Sequence, residues 1–304
     1  MNFILNEKEF TKYCIEHNTY EKDNIYRTLV WIAQYHYDFN GYRKKKITEL
    51  LIDFLQKNYP LYKRDSAKWD ETADKIAKKT GGKHLLELDC ITLTKKEIEI
   101  ITGIKEKTMQ RLAFTMACIA RLNKARNPEN HGWLNVDSKV IFNAAHVSGT
   151  AQQRDYKLHD MQKLGLIEFA RKIDNNNIRI TFLDESDNQE IGYSVSAADF
   201  RDLGLCYQYV FNKNHDAIAK CQRCGRYFIR SKANSYRQAS KNCPSCIQEE
   251  QIKIPKMVTK SCIMCGKNYV IDARAQHKTR CADCQSKWRK MKDRNRKKKP
   301  EFSA

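Results

Sequence analysis

Residues 221–246 read CQRCGRYFIRSKANSYRQASKNCPSC, and residues 262–284 read CIMCGKNYVIDARAQHKTRCADC. Each stretch holds two pairs of cysteines, with two residues between the cysteines of a pair. The gaps between successive pairs are 18, 15 and 15 residues. One turn of chain can present both sulfurs of such a pair to one ion, and two pairs complete a tetrahedron of thiolates. The pattern therefore predicts two zinc sites.

An internal repeat indicates which cysteine pairs share an ion. CQRCGRYFI at 221–229 parallels CIMCGKNYV at 262–270, and CPSC at 243–246 parallels CADC at 281–284. We therefore predict one ion per stretch, although spacing alone also permits the second pair to join the third. The predicted ligands are Cys221, Cys224, Cys243 and Cys246 for the first Zn²⁺, and Cys262, Cys265, Cys281 and Cys284 for the second. Four thiolates leave no position open for water, so we expect both ions to be structural.

Each repeat resembles a zinc ribbon or a small treble-clef-like finger. A tight knuckle follows the first cysteine pair, and we expect Gly225 and Gly266 there because a side chain would crowd the sulfurs. We expect Phe228 and Tyr269, which occupy equivalent positions, to pack beneath the ions. Four further cysteines have apolar neighbours and are predicted to be core thiols: Cys14, Cys90, Cys118 and Cys206.

The chain is strongly basic, and its charge is concentrated near the C-terminus. The 304 residues include 56 Lys and Arg against 36 Asp and Glu, a formal charge of +20. Residues 1–219 hold 33 basic and 30 acidic residues, whereas residues 220–300 hold 23 basic and five acidic residues. The 41% of apolar residues suffices for a core and excludes a fully disordered protein. The cationic C-terminal part predicts nucleic acid as the partner.

The sequence also restricts where the protein works. It has no run of 18 apolar residues, and its start, MNFILNEKEF, lacks the basic region of a signal peptide. We therefore expect a protein that works in the cytoplasm of the cell that makes it, without a membrane partner. In that compartment cysteines are metal ligands or free thiols rather than disulfides.

Residues 1–128 are predicted to form a helical domain. FTKYCIEH, NIYRTLVWIAQYHYDF and KKKITELLIDFLQKNY place apolar residues three and four positions apart. Thr94 and Glu97 have the spacing of a capping box, and a long helix is expected over about 105–126. We expect four acids to lie on the surface: Glu97, Glu99, Asp184 and Glu185.

Residues 129–219 have a different pattern. Asp137 and Thr150 are predicted to cap two successive helices, and Gly165 ends the second. LIEFARK and IRITFL then flank the turn residues IDNNN, which predicts a hairpin. This order of elements, and the phrase MQKLGLIEFARK at 161–172 above all, resembles a winged helix.

Together these segments predict a mainly α protein with small β elements. The helical domain at 1–128 precedes a winged-helix domain at 129–219. The zinc units follow at 220–250 and 260–286, and a basic tail occupies 287–304.

The resemblance to winged helices implies a set of nucleic-acid contacts, because the second helix of the motif reads the DNA groove. The implied contacts are Gln152, Gln153, Arg154, Lys157 and Lys163 on that helix, and Arg171, Lys172 and Arg179 on the wing. The composition of the tail adds phosphate contacts. These are Lys287, Arg289, Lys290, Lys292, Arg294, Arg296, Lys297, Lys298 and Lys299. Tyr227, Tyr236 and Trp288 interleave with basic residues and are candidates for stacking on bases.

We therefore predict a non-enzymatic, zinc-containing nucleic-acid-binding protein, with DNA favoured over RNA. The sequence has no P-loop, dinucleotide-binding, HExxH or GxSxG motif, and we expect no small-molecule substrate. The chain resembles proteins carried by bacteriophages and mobile elements of Gram-positive bacteria. The resemblance rests on a composition rich in Lys, Asn and Ile, on the winged-helix segment at 161–172 and on the CxxCG repeats. That resemblance implies regulation of transcription or replication. The alternatives are an adaptor that binds a host polymerase or a defence complex, and an RNA binder.

Overall fold

A computed structural model of the chain describes residues 3–21, 24–82, 84–170, 177–186, 190–230, 241–253, 257–272 and 277–297. Its internal contacts divide the chain into two compact units, Met1–Lys241 and Asn242–Ala304. Helices predominate and the sheets are small and antiparallel, so the predicted mainly α class is confirmed.

The first unit begins with four helices around one apolar core. Apolar side chains three and four positions apart form the inner faces, including Leu29 and Ile32 on the second helix and Leu51 and Leu55 on the third. The helices are α1 Glu7–Glu16, α2 Ile25–Asn40, α3 Lys44–Asn58 and α4 Ser66–Lys79. Gly41 ends α2 in the left-handed region, at a φ of 66°.

A strand pair that the sequence did not predict follows these helices. Strand β1, Cys90–Thr94, pairs antiparallel with β5, Ile191–Ser196, about a hundred residues later in the chain. Helix α5, Lys95–Gly103, starts directly after β1 with the predicted capping box of Thr94 and Glu97. Helix α6, Lys107–Arg126, buries eleven side chains and forms the centre of the larger core.

The next segment consists of two short helices and a three-stranded sheet. The elements are β2 Trp133–Leu134, α7 Ser138–Ala144, α8 Ala151–Lys163, β3 Ile167–Phe169 and β4 Ile178–Ile180, with strand order β2-β4-β3. Asp137 and Thr150 cap α7 and α8 as predicted. This segment shares its core with α6, so the core spans the predicted boundary at residue 128. The middle of the predicted wing, 171–176, lies outside the described residues.

The remaining elements form the cysteine-rich part. In the first unit these are α9 Leu203–Val210, β6 Ile218–Lys220 and β7 Tyr227–Ile229. The second unit contains α10 Pro244–Lys253, β8 Met257–Ser261, β9 Asn268–Asp272 and α11 Ala282–Lys297. Among the described residues, no helix is long and apolar enough to cross a membrane.

Two expectations about individual residues are wrong. Cys14, Cys118 and Cys206 are buried as predicted, but Cys90 is exposed because it opens β1 on the outward side of the strand. Glu97 is not a surface acid, since its exposed fraction is 0%. Its carboxylate accepts hydrogen bonds from the backbone of Thr94 and from the Arg121 guanidinium, so it is satisfied inside the core.

Candidate metal centres and basic helix

The structure assembles both predicted groups of four cysteines. The four sulfur atoms of each group lie within 4.8 Å of one another. The groups are Cys221, Cys224, Cys243 and Cys246, and Cys262, Cys265, Cys281 and Cys284. This is the grouping that the internal repeat predicts, and it differs from the interleaved alternative. Each group is able to hold a metal ion.

The first pair of each group lies in a knuckle whose backbone hydrogen bonds recur in both repeats. The Cys221 N–H donates to the Arg226 carbonyl at 2.8 Å, and the Cys262 N–H donates to the Lys267 carbonyl at 2.9 Å. Gly225 and Gly266 then donate back to the carbonyls of Cys221 and Cys262. The same closed turn therefore forms twice.

The reason for glycine in these knuckles differs from the sequence expectation. Gly225 and Gly266 both have a φ of 71°, in the left-handed region. Outside the two adjacent residues, a Cβ at Gly266 would meet no atom within 4 Å, so a side chain would not crowd the sulfurs of Cys262, Cys281 or Cys284. Glycine is favoured because it adopts a positive φ without the steric cost of a Cβ.

The second pair of each group starts a helix. Cys243 directly precedes α10 and Cys281 directly precedes α11, while Cys246 and Cys284 are the third residues of those helices. In α11 the Gln285 N–H donates to the Cys281 carbonyl at 2.9 Å. Both sulfurs of each second pair are therefore attached to a first helical turn.

The second group fits a tetrahedral metal ion. The sulfurs of Cys265 and Cys281 are 3.8 Å apart, and tetrahedral zinc with Zn–S bonds of about 2.3 Å separates its ligands by about 3.8 Å. Desolvation opposes ionisation of Cys262, but backbone N–H groups, beginning with that of Cys281, point at its sulfur and lower its pKa to about 6. Hydrogen bonds with the sulfurs of Cys281 and Cys265 raise the pKa of Cys284 to about 12, so without a metal ion the group shares its protons unevenly. A thiolate is the form that binds metal.

The knuckle of the first repeat is attached to the body of the first unit. Tyr227 is 5% exposed and packs with Leu205 and Ile218, so it is not available for stacking on bases. Lys220 pairs with Asp199 at 2.9 Å. Arg226 forms two hydrogen bonds of 2.9 Å with the carboxylate of Asp202. Lys220 and Arg226 are therefore already neutralised.

The knuckle of the second repeat has different surroundings. Ile263 and Met264 occupy the positions of Gln222 and Arg223, and they are 65% and 48% exposed. Tyr269 is half-buried, and its hydroxyl donates to the Lys278 carbonyl at 2.9 Å.

Helix α11 contains residues 287–297 of the predicted basic tail. None of its described cations forms an ion pair with a carboxylate of the described residues: Lys287, Arg289, Lys290, Lys292 and Arg294. The Arg280 guanidinium and the Lys292 ammonium lie over the Trp288 ring, 4.7 Å and 5.1 Å from its centroid. The side chains of Arg296 and Lys297 lie outside the described residues, as do Lys298, Lys299 and Tyr236.

The other predicted contacts lie on α8 and on the hairpin that follows it, and each one that the structure describes has a local partner. Gln153 belongs to the capping box of Thr150, and Arg154 donates to the Gly149 carbonyl at 3.0 Å. Lys157 pairs with Glu106 at 2.8 Å. The remaining pairs are Gln152 with Tyr156, Lys163 with Asp160, and Arg179 with Glu168. Arg171 and Lys172 lie outside the described residues.

Sequence reasoning missed a cavity in the first unit. It measures about 850 Å³ and lies among α1, α2, α4 and the end of α6. Its lining combines the aromatic rings of Tyr26 and Trp31 with the charged groups of Glu7 and Arg126. No local pattern marks such a cavity, because its lining comes from segments far apart in the chain.

Comparison with protein-family models, with curated proteins and with solved structures found no match to this chain. What the two metal centres and the basic helix do must therefore be inferred from their own chemistry.

Proposed function

We propose that the protein is a zinc-stabilised nucleic-acid-binding protein that contacts phosphates through α11. The observation that carries this proposal is a contrast in charge pairing. In the helical part of the first unit, several surface lysines face carboxylates, for example Lys44 with Asp74 at 2.8 Å and Lys57 with Asp53 at 2.7 Å, whereas others such as Lys63 and Lys68 face none among the described residues. On α11, by contrast, all five described cations lack a carboxylate partner within the part of the chain that the structure describes. Unpaired cations that neutralise phosphates gain affinity by releasing counterions.

The arrangement of the α11 cations favours duplex DNA. At 100° per residue, Lys287 and Arg294 lie within about 20° of each other on the helix surface, whereas Arg289 lies about 160° from Lys287. A helix about 10–12 Å in diameter enters the major groove, which is about 12 Å wide. Cations on opposite flanks then reach the phosphates of both strands.

Single-stranded binding has less support. Proteins that bind single strands rely on aromatic rings that stack on bases. Trp288 is half-buried beneath two cations, and Tyr227 is buried in the first unit. The phosphates of a duplex therefore fit the described surface better than unstacked bases do.

The helix–helix–hairpin segment supports a second contact through the winged-helix interpretation. Its order of elements and its sheet order β2-β4-β3 agree with that interpretation. We assign α8 a weaker role than α11, because α8 bears three basic and two acidic residues and its cations have local partners. A regulatory role in transcription or replication of a phage or mobile element is part of the proposal and rests on the sequence resemblance.

We propose that the metal at both sites is zinc and that its role is structural. Zinc prefers four sulfur ligands in a tetrahedron, and four sulfurs leave no coordination position for a substrate. We therefore propose no catalytic role for either ion and no enzymatic activity.

The test is the affinity of the full chain for a fluorescent DNA duplex at several salt concentrations. Log affinity should fall with log salt by about 0.9 per phosphate contacted. The fourfold variant K287Q/R289Q/K290Q/R294Q should reduce that slope by up to about 3.6. The control K12Q/K44Q/K57Q/K75Q removes four charges from cations that face carboxylates, and it should leave the slope within about one contact of the wild-type value.

Equal effects of the two variants would show that only total charge matters and would contradict a role for α11. Single-stranded DNA and double-stranded RNA serve as competitors. If single strands or RNA compete better than duplex DNA, the ligand assigned to α11 is wrong.

A protein–protein adaptor is the second candidate function. The observation that favours it is the exposure of Ile263 and Met264, since exposed apolar side chains often mark protein interfaces. I263S/M264S should then leave DNA affinity unchanged and abolish binding to a purified candidate polymerase subunit. A loss of DNA affinity in this variant would assign the knuckle to the nucleic-acid surface instead.

A further inference from the structure

We propose that the metal ion of the second cysteine group nucleates α11 and so controls nucleic-acid binding, whereas the ion of the first group does not. The proposal rests on the proposed function, because α11 is the surface that contacts phosphates. It adds that zinc occupancy of one particular site regulates this surface.

Two of the four ligands of the second group lie at the first turn of α11. Cys281 precedes the helix, Cys284 is its third residue, and the carbonyl of Cys281 accepts the first helical hydrogen bond from Gln285. Forming that first turn is the unfavourable step of helix formation, with a nucleation constant of about 10⁻³. An ion that holds the sulfurs of Cys281 and Cys284 fixes this turn in advance.

Few contacts other than those of the second cysteine group hold α11 in helical form. Cys284 is the only buried residue among the described side chains of α11. Charges four residues apart give α11 mixed support: Lys290 and Arg294 are alike and destabilise the helix, whereas Asp283 and Lys287 are opposite and stabilise it. With 16 residues, α11 is near the length at which isolated helices are marginal in water.

Helix α10 starts directly after Cys243, as α11 starts directly after Cys281. The Ile247 N–H donates to the Cys243 carbonyl at 3.1 Å, as Gln285 does to Cys281. By alignment on Cys246 and Cys284, Glu249 stands where α11 has Lys287. A metal ion at the first group therefore nucleates a helix that does not carry the cationic surface.

The experiment compares Cys284→Ser with its repeat equivalent Cys246→Ser in the full chain loaded with Zn²⁺. Three quantities are measured: zinc per chain, helical ellipticity, and affinity for the DNA duplex. Each variant should fall from two ions to one. Only Cys284→Ser should lose affinity, by between about ten- and a thousandfold, the upper bound being the nucleation constant.

A third variant separates the helix from the metal. Ser286→Pro removes an N–H that the helix interior needs but leaves all four sulfurs in place. It should retain two ions and lose affinity as Cys284→Ser does.

Three results would overturn the proposal. They are full affinity in Cys284→Ser, an equal loss in Cys246→Ser, and full affinity in Ser286→Pro. Failure of the proposed function has a different outcome, because the zinc-loaded wild type would then bind no nucleic acid. In that case a loss of helical ellipticity in Cys284→Ser that exceeds the loss in Cys246→Ser still tests nucleation by itself.

Discussion

Gly204 is the point at which α9 touches the helix–helix–hairpin segment. A Cβ added there would lie 2.0 Å from the carbonyl oxygen of Ala145 and 2.2 Å from its carbonyl carbon. Ala145 is fully buried and directly follows α7, and its N–H donates to the Ile141 carbonyl. Its backbone therefore has little freedom to move away from Gly204. We predict that Gly204→Ala destabilises the first unit.

The magnitude follows from the overlap. An ordinary contact needs at least 3.4 Å, so the backbones must separate by about 1.4 Å. Overpacking of a core costs about 1–3 kcal/mol, and the upper end applies because backbone atoms meet the new methyl group. Alanine is favoured over glycine in a helix, and this preference offsets about 1 kcal/mol of the overpacking cost. The expected net loss is about 2 kcal/mol.

The assay is unfolding in urea, followed by circular dichroism. Gly103→Ala is the matched control, because Gly103 is also helical and a Cβ there would meet no atom within 4 Å. The control should be more stable than the wild type by about 0.4–1 kcal/mol. If Gly204→Ala is as stable as Gly103→Ala, the close approach of α9 to Ala145 does not exist.

Three further predictions concern buried groups and α8. Glu97→Ala should lower the free energy of unfolding in urea by about 3–5 kcal/mol, because it leaves the buried Arg121 guanidinium without its carboxylate. The control Glu99→Ala removes an exposed acid and should stay within about 0.5 kcal/mol of the wild type. Burial raises the pKa of Cys14 to about 11 and of Cys206 to about 12, from 9.0. The unfolded chain therefore loses these protons first, and stability should fall as pH rises from about 9 towards 12. Cys206→Ala should lessen that fall by about 1.4 kcal/mol per pH unit, and an unchanged pH dependence would contradict this account. Replacing Arg154 and Lys157 by alanine should reduce sequence preference in a binding-site selection more than overall affinity, and an equal reduction would assign both residues to phosphates.

The local features of the structure are those that the sequence predicts well. The eight metal ligands follow from CxxC spacing and from the repeat, because two residues of separation suffice to present two sulfurs to one ion. The caps at Thr94, Asp137 and Thr150 follow for a similar reason, since a cap involves residues no more than three positions apart. The basic residues after Cys284, which composition alone marks as a cationic segment, continue α11 as far as Lys297.

Features that join distant segments were missed or misjudged. The pairing of β1 with β5 leaves no mark in either strand, because antiparallel partners can come from any part of the chain. Glu97 has the pattern of an exposed helical acid, yet Arg121 and the Asp184 N–H converge on it from other elements. Cys90 has apolar neighbours in sequence, but its position in β1 turns it outward.

The sequence by itself determined where the metal ligands lie and that the positive charge is concentrated beyond residue 219, because spacing and composition are properties of the chain alone. Only the tertiary structure decided which of those charges remain available. Asp199 and Asp202, some twenty residues away, neutralise Lys220 and Arg226, whereas the described cations of α11 meet no carboxylate of the described residues. Salt screens the attraction between exposed charges beyond about 10 Å, so the pairing of a charge depends on what folding brings beside it.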